Sequence, residues 1–240
     1  WQGNPHRPTK DMDILYLHTR DAQELEQIFR EIASIQAADD GMVFRPETVK
    51  AREIREDNAY GGIRVTLQAL LGKSKINVQV DIGLGDAVYP VPEWTEFPTI
   101  MKYPAPLIRP YPIYTVVAEK FEAIVLFGMA NSRMRDYFDL YYMINHFEFS
   151  KKYLCKAIYQ TFKRRESTLP TYLPTGLSEE FAMNNDKIKQ WKAFLRKNSL
   201  QVDKPFNEVI IQICLFIGPI IEDSLNDKAH WNGMKGWTLD

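Results

Sequence analysis

A proline-rich segment between Tyr89 and Pro112 separates two parts of the chain that differ in their pattern of apolar residues. Seven prolines fall in this segment, and each removes a backbone donor and interrupts helices and central strands. Before the segment, alternating apolar and polar residues are typical of strands; after it, apolar residues recur at helical spacing. The sequence therefore predicts an α+β fold, with a mixed-sheet core in residues 1–110 and a helical domain in residues 111–240.

The first part combines strand and helix patterns. A strand is predicted for DMDILYL (Asp11–Leu17), and a helix for the segment after Asp21, whose side chain is a suitable N-cap. The stretch MVFRPETVKAREIRE is typical of an extended chain that is interrupted at Pro46. Two further strands, GIRVTLQALL and INVQVDIGL, flank the turn residues GKSK and predict a β-hairpin.

The second part contains five segments with helical spacing. The most apolar stretch, VIIQICLFIGPII (Val209–Ile221), is too short to cross a bilayer and contains Gln212 and Pro219, so it predicts a buried core helix. The five predicted helices lie in YTVVAEKFEAIVLFG, RMRDYFDLYYMIN, KKYLCKAIYQTFKRRE, DKIKQWKAFLRKN and FNEVIIQICLFIGPIIEDSLN.

The charges and cysteines indicate an ordinary intracellular protein. A net charge of −1 gives no sign of a surface that binds nucleic acid or a membrane as a whole. The segment Lys151–Leu200 is nevertheless basic, with eleven lysines and arginines against four acidic residues. Cys155 and Cys214 are far apart and lack the spacing of metal ligands, so we expect reduced thiols and a cytoplasmic protein without a signal peptide or a membrane partner.

Three aspartates could meet on one face of the predicted sheet. Asp11 and Asp13 are two residues apart in a strand, so they project from the same side. Asp81 lies on the polar side of INVQVDIGL and would join them if the strands are neighbours. Adjacent carboxylates repel each other unless a cation or a shared proton neutralises them, and carboxylate oxygens suit Mg²⁺ or Mn²⁺. A solvated strand end is the alternative for the first pair, and Asp86 in the following turn is an alternative to Asp81.

A cluster of this kind would serve chemistry at phosphorus. Three converging carboxylates can hold two metal ions about 4 Å apart, the arrangement used for in-line phosphoryl or nucleotidyl displacement. One ion would activate the attacking hydroxyl, and the other would hold a triphosphate and stabilise the leaving pyrophosphate. The residues therefore favour a metal-dependent enzyme that uses a nucleoside triphosphate (NTP).

Four blocks of the sequence, in order, resemble the AbiEii/AbiGii toxin-like nucleotidyltransferases. The blocks are RPTKDMDIL, VDIGLGD, AEKFEAIV and RMRDYFDLYYM, and together they extend from Arg7 to Met143. The last block is the most distinctive, because it places basic residues, Asp136 and Asp139 in one predicted helix. The resemblance implies a DNA polymerase β-like nucleotidyltransferase core, followed by a helical C-terminal domain, and nucleotidyltransferase activity.

The resemblance also implies which residues bind the metal and the triphosphate. Asp11, Asp13 and Asp81 match the metal-binding carboxylates of the family, and Lys120 matches a lysine that contacts nucleotide phosphates. A lysine suits that task as a flexible point charge. Without the resemblance, Lys120 would be interpreted as a solvated helix residue.

Five further residues are implied to help the nucleotide bind. Arg7 and Thr9 would position phosphates, Asp139 would orient the matched lysine or the substrate, and Arg135 and Asp136 would belong to the nucleotide site. Arg135 lies four residues before Asp139, a spacing that allows an ion pair on a helix. A salt-bridge network that joins the helical region to the core is the alternative, and it is favoured for Asp136.

One element of the family is not recognisable, and this leaves other functions open. The family has a Gly-Gly or Gly-Ser turn and a helix before the D-x-D strand, whereas only Gly3 precedes that strand here. The resemblance implies an RNA acceptor, such as the end of a tRNA, and a toxin or phage-defence role with a cognate antitoxin. The alternatives are a nucleotidyltransferase for a small acceptor, such as an aminoglycoside, and a catalytically inactive nucleotidyltransferase fold that serves as a binding module.

Overall fold

The computed structural model describes residues 7, 12–16, 21–36, 40–55, 61–99 and 103–239. Contacts divide the chain into two compact units: a sheet unit, Pro8–Asp86, and a helical unit, Ala87–Asp240 together with Trp1–Arg7. The division between them falls between Asp86 and Ala87. Separate domains in residues 1–110 and 111–240 stay a prediction.

The sheet unit contains four strands and one helix in its described residues. The strands are β1 (Met12–Tyr16), β2 (Met42–Arg55), β3 (Gly61–Leu71) and β4 (Ser74–Leu84), and helix α1 spans Ala22–Ala33. The spatial order is β1-β4-β3-β2, with β1 parallel to β4 and the other two pairs antiparallel. This mixed sheet confirms the α+β core that the sequence predicts.

A tight turn sets the register of the central hairpin. β3 and β4 are joined by Gly72 and Lys73, and Leu71 pairs with Ser74 across the turn. Gly72 has a φ of +58°, a left-handed conformation that glycine adopts without steric cost. The turn at GKSK is therefore confirmed, and it determines which residues of β3 and β4 lie opposite each other.

The predicted interruption at Pro46 is present as an irregularity within one long strand. The register of β2 against β3 shifts between Arg45 and Lys50, because proline cannot donate a ladder hydrogen bond. The hydroxyl of Thr48 accepts a hydrogen bond from the backbone N–H of Gln68 at 2.9 Å. A side chain thus satisfies a donor that the interrupted ladder leaves.

Helix α1 covers one face of the sheet. Its N-cap is Asp21, as predicted, and a carboxylate oxygen of Asp21 accepts from the backbone N–H of Glu24 at 2.8 Å. Leu25 is buried against alternate residues of the strands, and burial of these side chains stabilises the unit. The opposite face of the sheet carries the polar residues that alternate with these apolar residues along the strands. The buried set is Leu25, Val49, Ile63, Val65, Leu67, Val80 and Ile82.

The helical unit contains six helices and several short strands in its described residues. The five helices that the sequence predicts are all present, and α5 is an additional short helix. The helices are α2 (Ile113–Phe127), α3 (Met134–His146), α4 (Lys151–Arg164), α5 (Glu179–Met183), α6 (Asn185–Lys197) and α7 (Phe206–Ile221); the strands are β5 (Thr95–Glu96), β6 (Leu107–Ile108), β7 (Phe149–Ser150), β8 (Ala229–Asn232) and β9 (Gly236–Leu239).

A three-stranded sheet, β7-β8-β9, extends the helical core and was not predicted. Two tryptophans attach it: the indole N–H of Trp231 donates to the Ile144 carbonyl at 2.7 Å, and that of Trp237 donates to the Phe216 carbonyl at 2.9 Å. The strands are only two to four residues long, so their alternation is too brief to recognise in a sequence.

The most apolar segment of the chain is a core helix. Val209, Ile213, Phe216 and Ile217 of α7 are buried completely among the other helices, and Pro219 lies in its last turns. Within the part of the chain that the structure describes, no helix combines the length and apolar character that crossing a membrane would require.

Both cysteines are unpaired and partly buried, in agreement with the reduced thiols that the sequence predicts. The Cys214 thiol donates to the Leu177 carbonyl, and burial raises the pKa of that thiol to about 11. It is therefore protonated at neutral pH and a poor nucleophile.

Candidate active site

Four charged residues form a row across the polar face of the sheet. Arg52 of β2 lies opposite Arg64 of β3, Arg64 lies opposite Asp81 of β4, and Asp81 lies opposite Asp13 of β1. Register partners on neighbouring strands project from the same face, and Val80 and Ile82 occupy the other face beneath α1. The two aspartates are therefore neighbours, as the sequence predicts, at one end of a row whose other end is basic.

Asp81 is held by an arginine that the sequence analysis missed. Arg64 Nε and a terminal guanidinium nitrogen donate to the two carboxylate oxygens of Asp81, each at 2.7 Å. The pair is partly buried, with 29% of the Arg64 side chain and 19% of the Asp81 side chain exposed. Gln79 lies beside it, and its amide oxygen accepts from both Arg64 nitrogens at 3.2 Å when turned toward them.

The donor set on this face fits a divalent cation. Asp13 and Asp81 are directly opposite on strands about 4.8 Å apart, so one divalent cation could contact oxygens of both carboxylates. The bidentate contact with Arg64 occupies about two of the four lone-pair sites of Asp81, so its carboxylate can still ligate a metal. Among the described residues alone, no three acidic, histidine or cysteine side chains form a metal-binding group; Asp11 and Thr9 lie outside those residues.

Asp86 approaches the same face and stays an alternative third carboxylate. Gly83 follows Asp81 by two residues in β4, so its missing side chain would project from the same face as Asp81. A Cβ at Gly83 would lie 3.2 Å from a carboxylate oxygen of Asp86. Glycine at this position therefore leaves room for the Asp86 carboxylate to fold back toward the row.

A buried charge network joins α2 and α3 in the helical unit. The Lys120 ammonium contacts Asp136 and Asp139, each at 2.9 Å. Arg7 holds Asp139 in a bidentate contact at 2.6 and 2.8 Å, and Arg133 contacts Asp136 at 3.1 Å. Among the contacts between described residues, three cations thus face two carboxylates.

Burial and the neighbouring carboxylates act on Lys120 in opposite directions. Burial alone would lower the pKa of its ammonium, but Asp136 and Asp139 together outweigh that effect and raise the pKa above the ordinary value. A raised pKa in the folded state means that the network stabilises the fold at neutral pH and loses this contribution only as the pH rises through the raised value. Lys120 is therefore positively charged at neutral pH.

The structure locates the predicted nucleotide residues in different places. Arg7, Lys120, Asp136 and Asp139 are brought together in the network. Arg135 is exposed and forms no ion pair among the described residues, because Asp139 is turned toward Arg7 and Lys120; it lines a shallow groove between α3 and α6. The predicted ion pair between Arg135 and Asp139 is therefore not present.

The family model of the nucleotidyl transferase AbiEii toxin, from type IV toxin–antitoxin systems, matches residues 1–211 of the 240. This chain belongs to the AbiEii family. The match confirms the resemblance drawn from the four sequence blocks and extends it beyond Met143. The mixed sheet and the helices that follow it are accordingly the fold of an AbiEii nucleotidyltransferase.

Two crystal structures from Helicobacter pylori show weaker similarity to this AbiEii chain. One is described as a candidate nucleotidyltransferase and has 13% identity and a TM-score of 0.45, covering 91% of this chain and 80% of that one. The other, JHP933, has 14% identity and a TM-score of 0.45, covering 91% and 78%. A comparison with curated proteins gave no significant match.

Replacement of Arg64 tests whether Asp81 is a metal ligand. We expect Arg64→Gln to tighten Mn²⁺ binding about two- to fivefold, because a cation that competes for the Asp81 carboxylate is removed and partly exposed pairs contribute about 0.5–1 kcal/mol. Isothermal titration calorimetry would measure this. Arg52→Gln is the matched control, since it removes the same charge from the same row but on β2. Equal or weaker Mn²⁺ binding in Arg64→Gln would show that Asp81 does not ligate the metal.

Proposed function

We propose that this AbiEii protein is a Mg²⁺- or Mn²⁺-dependent nucleotidyltransferase that moves a nucleoside monophosphate (NMP) from an NTP to an acceptor hydroxyl and releases pyrophosphate. One observation carries the proposal: Asp13 and Asp81 are direct neighbours on the polar face of the sheet in a chain of a nucleotidyltransferase family. A binding module would have no need of two opposed carboxylates on that face.

The carboxylates would act by binding metal. Asp13 and Asp81 would be ligands together with Asp11, and the metal would share the Asp81 carboxylate with Arg64. Divalent cations bound there would supply positive charge that favours loss of the acceptor proton and stabilises the leaving pyrophosphate. A bond forms between the acceptor oxygen and the α-phosphorus, the bond from that phosphorus to the β-phosphate oxygen breaks, and the hydroxyl proton passes to water.

The buried network would supply a contact for the triphosphate. The Lys120 ammonium has three N–H donors, and the contacts with Asp136 and Asp139 use two of them. The third can donate to a phosphate oxygen, as an ammonium suits a phosphate contact. Arg7, Arg135 and Thr9 are proposed to help position phosphates.

Lys120 can be separated from a purely structural lysine by comparison with Lys151. Both are largely shielded from solvent, with 14% of the Lys120 side chain and 4% of the Lys151 side chain exposed. Each contacts two aspartates, and those of Lys151 are Asp223 and Asp227. We expect Lys120→Met to weaken NTP binding by about 1.5–3 kcal/mol, roughly tenfold or more. Lys151→Met would lower the melting temperature without changing the NTP dissociation constant. An unchanged dissociation constant in Lys120→Met would mean that Lys120 serves only the fold.

The acceptor is proposed to be RNA, such as the end of a tRNA, as the family resemblance implies. NTPs and RNA occur together in the cytoplasm, so we place the enzyme there. As the toxin of a type IV pair, it would have a cognate antitoxin partner. These assignments depend on the family and on the basic segment Lys151–Leu200.

The test is incubation of the protein with each α-labelled NTP, Mg²⁺ and either total RNA or an aminoglycoside. We expect label on RNA from at least one NTP, and none with Asp81→Asn. Label on the aminoglycoside alone would indicate a small-acceptor enzyme. Binding of NTP without label on either acceptor would favour the inactive binding module.

A further inference from the structure

The exposed side of α4 carries a stripe of lysine and tyrosine side chains. Lys152, Lys156, Tyr159 and Lys163 are at positions i, i+4, i+7 and i+11, so they share one side of the helix. All four are exposed. The sequence of α4, KKYLCKAIYQTFKR, contains no acidic residue, so every charged side chain that the helix itself contributes to this side is basic.

The tyrosines of this side are accessible and lie next to the cations. Tyr159 is 54% exposed, and the Lys163 ammonium lies 5.9 Å from its ring centre. Tyr153 is 44% exposed and stacks on Tyr89 with ring centres 5.8 Å apart. The Lys156 ammonium lies 4.4 Å from the Tyr89 ring centre. Aromatic faces and ammonium groups therefore alternate across a single surface.

A solvated lysine face is the ordinary explanation for such a stripe, and two observations argue against it. Lysines on a solvated helix are commonly balanced by acidic neighbours, whereas no ion pair of the described residues involves Lys152, Lys156 or Lys163. In addition, exposed tyrosines at matching spacing add apolar ring surface that a purely solvated face does not require.

We propose that this α4 face, defined as Lys152, Tyr153, Lys156, Tyr159 and Lys163, binds a single-stranded segment of the RNA acceptor. The proposal rests on the proposed nucleotidyltransferase function. Lysines would contact successive phosphates, and the exposed tyrosines would stack on bases, the combination that single-stranded nucleic acid requires. The stripe spans about 16 Å at 1.5 Å per residue, which matches about five stacked nucleotides at 3.4 Å each.

Helix α6 offers a basic face of similar size that lacks exposed aromatic rings. Its exposed cations are Lys189, Lys192 and Arg196, but Lys189 is bridged to Asp186 at 3.2 Å. Trp191 is only 3% exposed and packs in the core. The α6 face thus provides charge without stacking, and it serves as the matched control for the α4 face.

The experiment is fluorescence anisotropy of a short labelled single-stranded RNA of mixed sequence, titrated with protein over a range of salt concentrations. The first variant is Lys152→Gln with Lys156→Gln and Lys163→Gln. We expect its slope of log affinity against log salt to become shallower by about 2, because each phosphate contact contributes about 0.7 for single strands. Tyr159→Leu should weaken binding roughly tenfold with little change in slope.

The control variant combines Lys189→Gln, Lys192→Gln and Arg196→Gln, and we expect it to bind RNA within about twofold of the parent. All substituted residues are exposed, so the melting temperature should change little. Parent-like affinity and slope in the α4 variant, or a loss of affinity confined to the α6 control, would overturn the proposal. The proposal would also be overturned if poly-glutamate bound as tightly as RNA and if Tyr159→Leu left that binding unchanged. The face would then recognise acidic chains in general.

Failure of this inference can be told from failure of the proposed function. NTP binding and label transfer are measured on the same variants. Transfer to RNA that is undiminished in the α4 variant would leave the nucleotidyltransferase function standing and remove the α4 face. RNA binding that requires the α4 face, without transfer from any NTP, would support the face and contradict the enzyme.

Discussion

Asp13→Asn abolishes NTP-dependent transfer and most Mn²⁺ binding while the fold stays intact; this is the largest effect that we expect. Asp13 lies directly opposite Asp81, so the substitution removes one of the opposed carboxylates that would bind the cation. Asp81 keeps its bidentate contact with Arg64 in the variant, and an asparagine is close to isosteric with the aspartate that it replaces. The metal-free variant should therefore be no less stable than the parent.

Calorimetric titration with Mn²⁺ and thermal unfolding without metal measure the two halves of this prediction. Asp86→Asn, tested alongside, separates the two candidates for the third carboxylate, because Asp86 folds toward the same face at Gly83. If Asp13→Asn binds Mn²⁺ as the parent does, the metal site is elsewhere in the chain.

The second large effect concerns the buried network. We expect Asp139→Ala to lower the free energy of unfolding by about 3–5 kcal/mol, because Arg7 and Lys120 each lose a carboxylate partner in a largely buried network. Asp139 is 5% exposed at its side chain and contacts both Arg7 and Lys120. For a chain of this length the melting temperature should fall on the order of 10 °C.

The control for this substitution is Asp223→Ala. Asp223 also contacts a buried lysine, Lys151, but 83% of its own side chain is exposed, and exposed partners contribute about 1 kcal/mol or less. Differential scanning calorimetry of both variants would make the comparison. If Asp139→Ala lowers the melting temperature no more than Asp223→Ala does, the stabilising role of the network is contradicted.

Part of the candidate site could be predicted from local sequence rules. The alternation in DMDIL and INVQVDIGL places Asp13 and Asp81 on polar faces, and the structure pairs them on adjacent strands. Arg64 was missed although the signal was present. Pairing Leu71 with Ser74 across the two-residue turn and counting back along both strands brings Arg64 opposite Asp81.

The buried network could not be derived from spacing. Arg7 and Asp139 are 132 residues apart in sequence, and only tertiary packing brings them together. Helical spacing instead favoured Arg135 as the partner of Asp139, because i,i+3 and i,i+4 pairs are the contacts that a single helix can reveal. Packing overrides that preference: Asp139 faces the core with Lys120, whereas Arg135 is exposed.

The opposed carboxylates are proposed to support transfer of NMP with release of pyrophosphate. The most direct test is to measure, in one reaction with Mg²⁺ and RNA, the pyrophosphate released and the NMP that becomes covalently bound to RNA. We predict equal amounts of the two from the parent, and neither from Asp13→Asn. Release of inorganic phosphate or pyrophosphate without NMP on the acceptor would show that the protein hydrolyses NTP instead and would contradict the account.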